Sequence, residues 1–388
     1  MKKSFVRTQL IENIIKSSAK KYGTDSAVLL SSSSKVTSAV RKTISTGCPE
    51  LDRILARDIK GKFGIPAGRI VGISGKEASG KTTLAISMMK NVQLMGGLAT
   101  IIETENAFDP DYAEQLGLNL DELIISQPDY LEQALDIINN NIELFKEVKE
   151  EYKAETGKEF DVPMIQVLDS IAGVPPKAEW EAGSFEDEQA QGLHARRLSK
   201  FFRGISKRIA KEQVILVCTN QTKTDTRVRY GNANTEIGGA ALKFHASLRL
   251  DIYKSGFIRQ DKSKDSPAIG IETVVKTIKN KCMVPYKSVT VPILFGIGID
   301  PVRSTFNLLK NYKIVKHQGN TFDLSFKKYR IIGVGENNFL KKLEKNMKED
   351  EFVRRLNKHI ERHLSEGDDE GESDKTKRKR KPDRDPKS

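Results

Sequence analysis

Gly75-Lys76-Glu77-Ala78-Ser79-Gly80-Lys81-Thr82-Thr83 fits the pattern G-x-x-x-x-G-K-[ST], the loop that wraps nucleotide phosphates. Ahead of it, Arg69-Ile70-Val71-Gly72-Ile73-Ser74 is a short apolar run that reads as a buried strand. Behind it, Leu84, Ile86, Met88 and Met89 read as a largely buried helix. Strand, glycine loop, helix is the context the motif needs. Gly75 and Gly80 let the backbone turn so that its N–H groups face phosphate oxygens, and a helix starting near Thr82 adds the positive end of its dipole. Lys81 is expected to reach the outer phosphates, and the Thr82 hydroxyl to sit on Mg²⁺. A chance glycine-rich turn would explain the loop but not both flanks. The stretch predicts a nucleoside-triphosphate site.

More apolar runs follow, each closed by polar residues. Leu98–Ile102 ends in Glu103-Thr104-Glu105, Leu123–Ile125 is a short third strand, and Met164–Leu168 is closed by Asp169-Ser170. Val214–Cys218 leads into Thr219-Asn220-Gln221, while Ser247–Tyr253 and Ile271–Ile278 alternate and suit the edge of a sheet. Helices are expected from Ala134 through Val148 and from Asp187 to Lys211. The second has Leu198, Phe202, Ile205 and Ile209 on one face and Arg196, Arg197, Lys200, Arg203, Lys207 and Lys211 among them. Strands that alternate with helices and are continuously apolar imply an α/β fold with a mostly parallel sheet covered on both faces.

The 388 residues allow two domains plus tails. No run approaches the ~20 apolar residues of a membrane span. Met1-Lys2-Lys3-Ser4 has no apolar block behind it, so a signal peptide is not expected, and Cys48, Cys218 and Cys282 form no metal-type pair. Residues 1–42 are expected to hold a short helix, with Val6, Leu10, Ile11, Ile14 and Ile15 on a stripe that docks on the body or on a neighbouring subunit, and a serine-rich linker. A compact core spans 43–299 and a smaller, lysine-rich α+β region with a weaker core spans 300–365. The tail, 366–388, is acidic from Glu366 to Asp374 and then basic from Lys375 to Lys381, and is expected to lack regular structure. It carries eight acidic and eight basic side chains, so the whole net charge of +13 belongs to residues 1–365. A basic globular body points to a polyanionic partner, nucleic acid before membrane.

Asp169 ends an apolar strand, where a phosphate-loop protein keeps its metal-side carboxylate. Glu103 and Glu105 are two apart, so an extended backbone would send both to one side, near where an attacking water must be polarised. Gln221 opens the polar segment Thr222–Lys243, which holds Lys223, Arg227, Arg229 and Tyr230 and then Gly238-Gly239. Some 20 residues without a core pattern is long for a passive connector, and a basic loop with an aromatic suits single-stranded nucleic acid.

The run from Thr43 to about Gly298 resembles the bacterial RecA recombinases. The resemblance is carried by Ile44-Ser45-Thr46-Gly47, Gly75–Leu84, Glu105-Asn106-Ala107-Phe108-Asp109-Pro110-Asp111-Tyr112 and Ser126-Gln127-Pro128-Asp129. It continues in Asp169-Ser170, Pro176-Lys177-Ala178-Glu179, Thr219-Asn220-Gln221, Gly238–Phe244 and Lys279-Asn280-Lys281. It implies a RecA-like core with a helical N-terminal extension and a small C-terminal domain, in a bacterial or bacteriophage protein acting in the cytoplasm. The implied activity is a DNA-dependent ATPase that uses ATP and Mg²⁺, forms a helical filament on single-stranded DNA and exchanges strands with a homologous duplex. Recombination mediator proteins would be its further partners.

By the same resemblance Glu105 activates water, Gln221 senses the outer phosphate, and Tyr112 stacks on adenine with Asp109 near its amino group. Lys279 and Lys281 would reach the nucleotide of the adjacent subunit. DNA loops are implied near Glu179–Gly192 and Lys223–Gly239, with Arg196, Arg203, Lys243 and Arg249 on phosphate. Where the family wedges apolar side chains between bases, this chain has Gln191 and Thr226. The wedges either move to Trp180, Phe185, Val228 or Tyr230 or are absent. Duplex capture by the C-terminal domain is a further implication. The rival of a different class is a non-catalytic RecA-like mediator that binds ATP and partner proteins; such a relative is expected to have lost the water-activating acid or the two lysines, and this chain keeps all three.

Overall fold

The computed structural model describes residues 2–23, 27, 39–182, 192–224, 234–236, 241–260, 263 and 265–378. The chain opens with α1 (Lys2–Tyr22); a small antiparallel pair, β1 (Thr43–Ile44) and β2 (Ile65–Pro66), brackets α2 (Pro49–Leu55). The nucleotide half follows as β3 (Ile70–Gly75), α3 (Lys81–Gln93), β4 (Leu98–Glu103), α4 (Pro110–Gln115), β5 (Leu123–Ser126), α5 (Leu131–Thr156) and β6 (Met164–Asp169). Next come α6 (Lys177–Ala182), α7 (Leu193–Glu212), β7 (Val214–Thr224), β8 (Asn234–Glu236) and α8 (Ala241–His245). The antiparallel flank is β9 (Leu248–Arg259), β10 (Ala268–Asn280), β11 (Ser288–Leu294) and β12 (Gly298–Ile299). The C-terminal part holds α9 (Pro301–Asn311), β13 (Lys316–Gln318), β14 (Thr321–Phe326), β15 (Tyr329–Val334), α10 (Glu336–Met347) and α11 (Asp350–Arg378).

One large sheet runs in the order β12-β11-β10-β9-β3-β7-β6-β4-β5, with β8 attached to β7. Its centre, from β9 through β5, is parallel throughout. Alternate residues of the central strands feed opposite cores. Ile165, Val167, Ile215 and Val217 pack with α3 on one face, while Met164, Leu168, Val214 and Leu216 pack with α5 and α7 on the other. Burial on both faces is why these strands are continuously apolar in sequence.

Five expectations need correction. β9 and β10 are interior strands, and β12 and β5 form the edges. Their alternation reports burial on one side only: Leu248, Leu250 and Ile252 face the core, as antiparallel strands with one covered face do. The C-terminal region has a full core of its own, in which Phe306, Phe322, Phe339 and Phe352 are all buried. It is fixed to the body where α2 meets α9, and Asn311 donates to Glu50 Oε1 at 2.6 Å. The segment Thr222–Lys243 is not loop throughout, since Thr222, Lys223 and Thr224 lie opposite Glu236, Thr235 and Asn234. The helix expected from Asp187 begins, within the described residues, at Leu193, after Gly192 with φ +81°. The tail continues as helix α11 to Arg378, because extending an existing helix avoids the cost of nucleating a new one. On α1, Val6, Leu10 and Ile14 remain more than half exposed, so this stripe is not buried on the chain's own body.

Candidate active site

The sheet register gathers the polar strand ends. Gln221 lies opposite Gly75 across β7 and β3, and Asp169 lies opposite Glu103 across β6 and β4. Chemistry-bearing residues far apart in sequence thus meet at the carboxyl ends of adjacent parallel strands, where ligands of open α/β sheets bind.

The loop before α3 is closely built. A Cβ on Gly75 would lie 2.4 Å from the Ile252 carbonyl oxygen, and one on Gly80, at φ +92°, would lie 2.7 Å from Ile293 Cδ1. Ala78 also has a positive φ, 54°, and Ser79 Oγ donates to the Lys76 carbonyl at 2.7 Å. Lys81 lies back along the loop, donating to the carbonyls of Gly75 at 3.1 Å and Lys76 at 2.8 Å. Burial draws its ammonium below the usual lysine range, and the charges of Asp169, Glu105 and Glu77 hold it up. One side of Asp169 accepts from Thr82 Oγ1 at 2.9 Å and the other from Thr219 Oγ1. Burial raises its pKa against those two hydrogen bonds.

These residues fit a nucleoside triphosphate with Mg²⁺. A glycine-built turn at the start of α3 can present N–H groups to phosphates. Thr82 and Asp169 are oxygen donors of the kind a hard cation takes, leaving other positions to phosphate and water. Among the described residues no group of three or more His, Cys, Asp or Glu side chains is placed to hold a metal.

The two glutamates do different jobs. Glu103 is buried, and its Oε1 accepts the N–H groups of Glu105 at 2.9 Å and Ala107 at 3.0 Å. The strand ends there, and Asn106 turns at φ +53°, so the alternation expected of an extended chain stops before Glu105. Glu103 fixes the turn; Glu105 is exposed at its tip. Ser170 Oγ donates to Glu105 Oε1, and the Gln221 amide donates to both of its carboxylate oxygens, at 3.2 and 3.3 Å. This leaves a carboxylate oriented by two donors above the phosphate loop. The roles of Ser170 and Thr219 are not apparent from sequence patterning, although Thr219 directly follows an apolar run that ends at this rim and Ser170 follows another by one residue, Asp169.

Tyr112 is half-buried against the core, its hydroxyl 3.2 Å from Thr83 Oγ1. Asp109 caps α4 by accepting the Tyr112 N–H at 3.0 Å. Both therefore stand beside the end of the loop. Lys279 and Lys281 sit farther off, at the end of β10. Lys279 Nζ donates to the carbonyls of Lys243 at 2.7 Å and Phe244 at 2.9 Å, capping α8. Burial, then the charges of Lys281 and Arg249, lower its pKa to about 8. Burial also lowers the His245 pKa, reinforced by Arg203, Lys279 and Lys281, which marks these cations as one neighbourhood.

Of the expected DNA-contacting residues, Arg196, Arg203 and Lys243 are exposed, while Arg249 is half-buried with its Nε out of solvent. The backbone of Lys223 lies in β7. Arg227, Arg229, Tyr230, Gly238 and Gly239 lie outside the described residues, as do Phe185, Gln191, Thr226 and Val228.

Comparison with known proteins agrees with this geometry. The family model of the RecA N-terminal domain matches residues 9–300. Protein RecA of Thermus thermophilus is 36% identical over 370 residues, covering 94% of this chain and 99% of the relative. Protein RecA of Petrotoga mobilis is 34% identical over 330 residues, covering 85% and 82%. Protein RecA of Chlamydia pneumoniae is 38% identical over 306 residues, covering 79% and 78%. With the family match spanning the whole core and the relatives covering 79% to 94% of the chain, this protein belongs to the RecA family.

Proposed function

We propose that this chain is an ATP-driven DNA recombinase that forms filaments on single-stranded DNA and pairs it with a homologous duplex. The observation that carries the proposal is the Glu105–Gln221 contact at the rim of the phosphate loop. It joins a carboxylate suited to activating water to a strand that leads directly into the basic segment after Thr222.

Gly75 to Thr83 would hold the triphosphate, Thr82 and Asp169 would hold Mg²⁺, and Tyr112 with Asp109 would flank the base. Bound ATP supplies the phosphoanhydride whose cleavage drives the cycle, and Mg²⁺ neutralises its charge. Glu105, oriented by Ser170, would accept the proton of an attacking water. Gln221 would leave Glu105 to meet the outer phosphate, and the shift would pass along β7 into the segment expected to touch DNA. Lys279 and Lys281 would serve the nucleotide of a neighbouring subunit, so hydrolysis would depend on the filament. Arg196, Arg203, Lys223, Arg227, Arg229, Tyr230, Gly238, Gly239, Lys243 and Arg249 would form the DNA path.

The exposed Val6, Leu10 and Ile14 stripe supports assembly, since it leaves an apolar face of α1 for a second copy. No described helix is long and apolar enough to cross a membrane. The protein would work on DNA in a bacterial or phage-infected cytoplasm. Mediator proteins that load the filament would be its partners.

A joint-molecule assay tests the proposal. A fluorescent single strand and its homologous duplex should form ATP-dependent joint molecules with this protein alone. A protein that hydrolyses ATP on DNA yet forms no joint molecules, but accelerates another recombinase, would be a mediator instead.

A further inference from the structure

Lys279 and Lys281 bracket Asn280, the last residue of β10. The lysines reach the surface, half-buried at Lys279 and exposed at Lys281, whereas Asn280 is buried. All four hydrogen-bonding positions of its amide are filled. Nδ2 donates to the carbonyls of Ile54 at 3.0 Å and Leu55 at 2.8 Å, and Oδ1 accepts the N–H groups of Cys282 at 2.8 Å and Met283 at 2.9 Å. An amide has two donors and two lone pairs, so a carboxylate or hydroxyl of similar size cannot meet both demands. Ile54 and Leu55 end α2, and the last carbonyls of a helix have no partner within it. One side chain thus closes α2 and shapes the turn that carries Lys281.

Strand pairing does not fix this end by itself. The register of β10 against β9 slips between Thr277 and Lys279, and the ladder stops at Asn280, opposite Leu248. A lysine that must meet a phosphate has a long flexible stem, so its aim depends on a fixed backbone. From one side, Lys279 is steadied by the carbonyls of Lys243 and Phe244, and the Lys281 N–H donates to the Ser247 carbonyl at 2.9 Å. Asn280 supplies the hold from the other side.

The anchor leads back to the nucleotide loop. Asp52 of α2 accepts from Ser45 and Thr46, and the Thr46 carbonyl accepts from Ser87 Oγ of α3 at 2.7 Å. α3 is the helix that begins at Lys81. A chain of hydrogen bonds and helix backbone therefore joins the helix behind the phosphate loop to the strand end that carries the lysines.

We propose that Asn280 is the positioning residue of the two lysines. It ties their strand end to α2, and through α2 to α3, so that the cations offered to a neighbour's nucleotide stand at a set place relative to the subunit's own phosphate loop. The inference rests on the reading of Lys279 and Lys281 as serving the adjacent subunit.

Asn280→Ala leaves two carbonyls and two N–H groups unpaired in the interior and endangers the fold, so the test turns on Asn280→Ser in the full chain. Serine keeps an oxygen for the turn but has no donors to reach both α2 carbonyls. Thermal melts and titration with a fluorescent ATP analogue, without DNA, check the fold and the subunit's own loop, and both should match wild type. Hydrolysis stimulated by single strands should fall about tenfold to 10²-fold in kcat, the cost of misplacing a group at the reacting phosphate by about 1 Å. Mixing Asn280→Ser with Lys81→Ala should restore much of the loss, because one subunit keeps an intact loop and the other keeps well-placed lysines. A general disturbance of the Asn280→Ser subunit would not be rescued in this way. Wild-type turnover by Asn280→Ser overturns the inference. So does an Asn280→Ser variant that stays inactive in every mixture while Lys279→Ala/Lys281→Ala is rescued by Lys81→Ala, since the damage then lies in the subunit's own site. Failure of the neighbour reading is seen separately, as Lys279→Ala/Lys281→Ala that no mixture rescues, and it takes this inference down with it.

Discussion

The side-chain amide of Gln221 donates to both carboxylate oxygens of Glu105, at 3.2 and 3.3 Å, across 116 residues of sequence. The contact ties the residue proposed to activate water to the strand that enters the segment proposed to bind DNA. Replacing Gln221 with Ala should therefore uncouple the two ligands rather than remove either. Nucleotide affinity should stay within about threefold, while the enhancement of DNA affinity by nucleotide should fall by roughly tenfold or more, within the usual range of coupling energies. Titrations of a labelled single strand with and without a non-hydrolysable ATP analogue measure this. Unchanged enhancement in the variant would sever the proposed link.

Lys279 is held on the last turn of α8, and its pKa is lowered to about 8, chiefly by burial. A lowered lysine pKa means that the cation is lost as pH rises through about 8, well before an ordinary lysine. DNA-stimulated hydrolysis should decline above that pH. Lys279→Arg should carry the decline to higher pH, because a guanidinium stays charged. Mixing Lys279→Ala/Lys281→Ala with Lys81→Ala should restore activity at sites that combine one intact loop with the other subunit's intact lysines. An alkaline limb that does not move, together with mixtures that stay inactive at every ratio, would remove these lysines from the neighbour's site.

Asp52 is a buried carboxylate that accepts from Ser45 Oγ, Thr46 N–H and Thr46 Oγ1, at 2.6, 2.7 and 2.6 Å. Burial outweighs these bonds and raises its pKa from 3.8 to about 6. The folded state therefore keeps a proton that the unfolded chain gives up. The stability this confers is fully present below pH 3.8 and is lost as pH rises through about 6, a change of at most about 3 kcal/mol. Asp52→Asn removes the titration, so its stability relative to wild type should improve between pH 4 and pH 7. Denaturant melts at the two pH values decide it. A constant difference would mean that Asp52 titrates as in the unfolded chain.

Much of the site was legible because it is local. The phosphate loop is one run of residues, and Asp169 and Gln221 close or follow apolar runs whose parallel packing brings their ends together. What escaped needs three dimensions. The turn at Asn106 ends the strand and separates the work of Glu103 from that of Glu105. Alternation in β9 and β10 looks like an edge in sequence, although it reports one covered face of interior strands. The C-terminal core is spread through α9, β14, α10 and α11, with lysines between its phenylalanines, so no single window shows it.

The central claim is that this is an ATPase whose water-activating group is Glu105 and whose turnover is switched on by single-stranded DNA. The most direct measurement is steady-state ATP hydrolysis by wild type and Glu105→Gln, each with and without single strands. The wild type should be strongly stimulated. The variant should bind ATP and DNA like wild type and lose turnover by about 10²-fold or more, since an amide cannot take the proton of the attacking water. Hydrolysis by Glu105→Gln within a few-fold of wild type on single-stranded DNA would contradict the account.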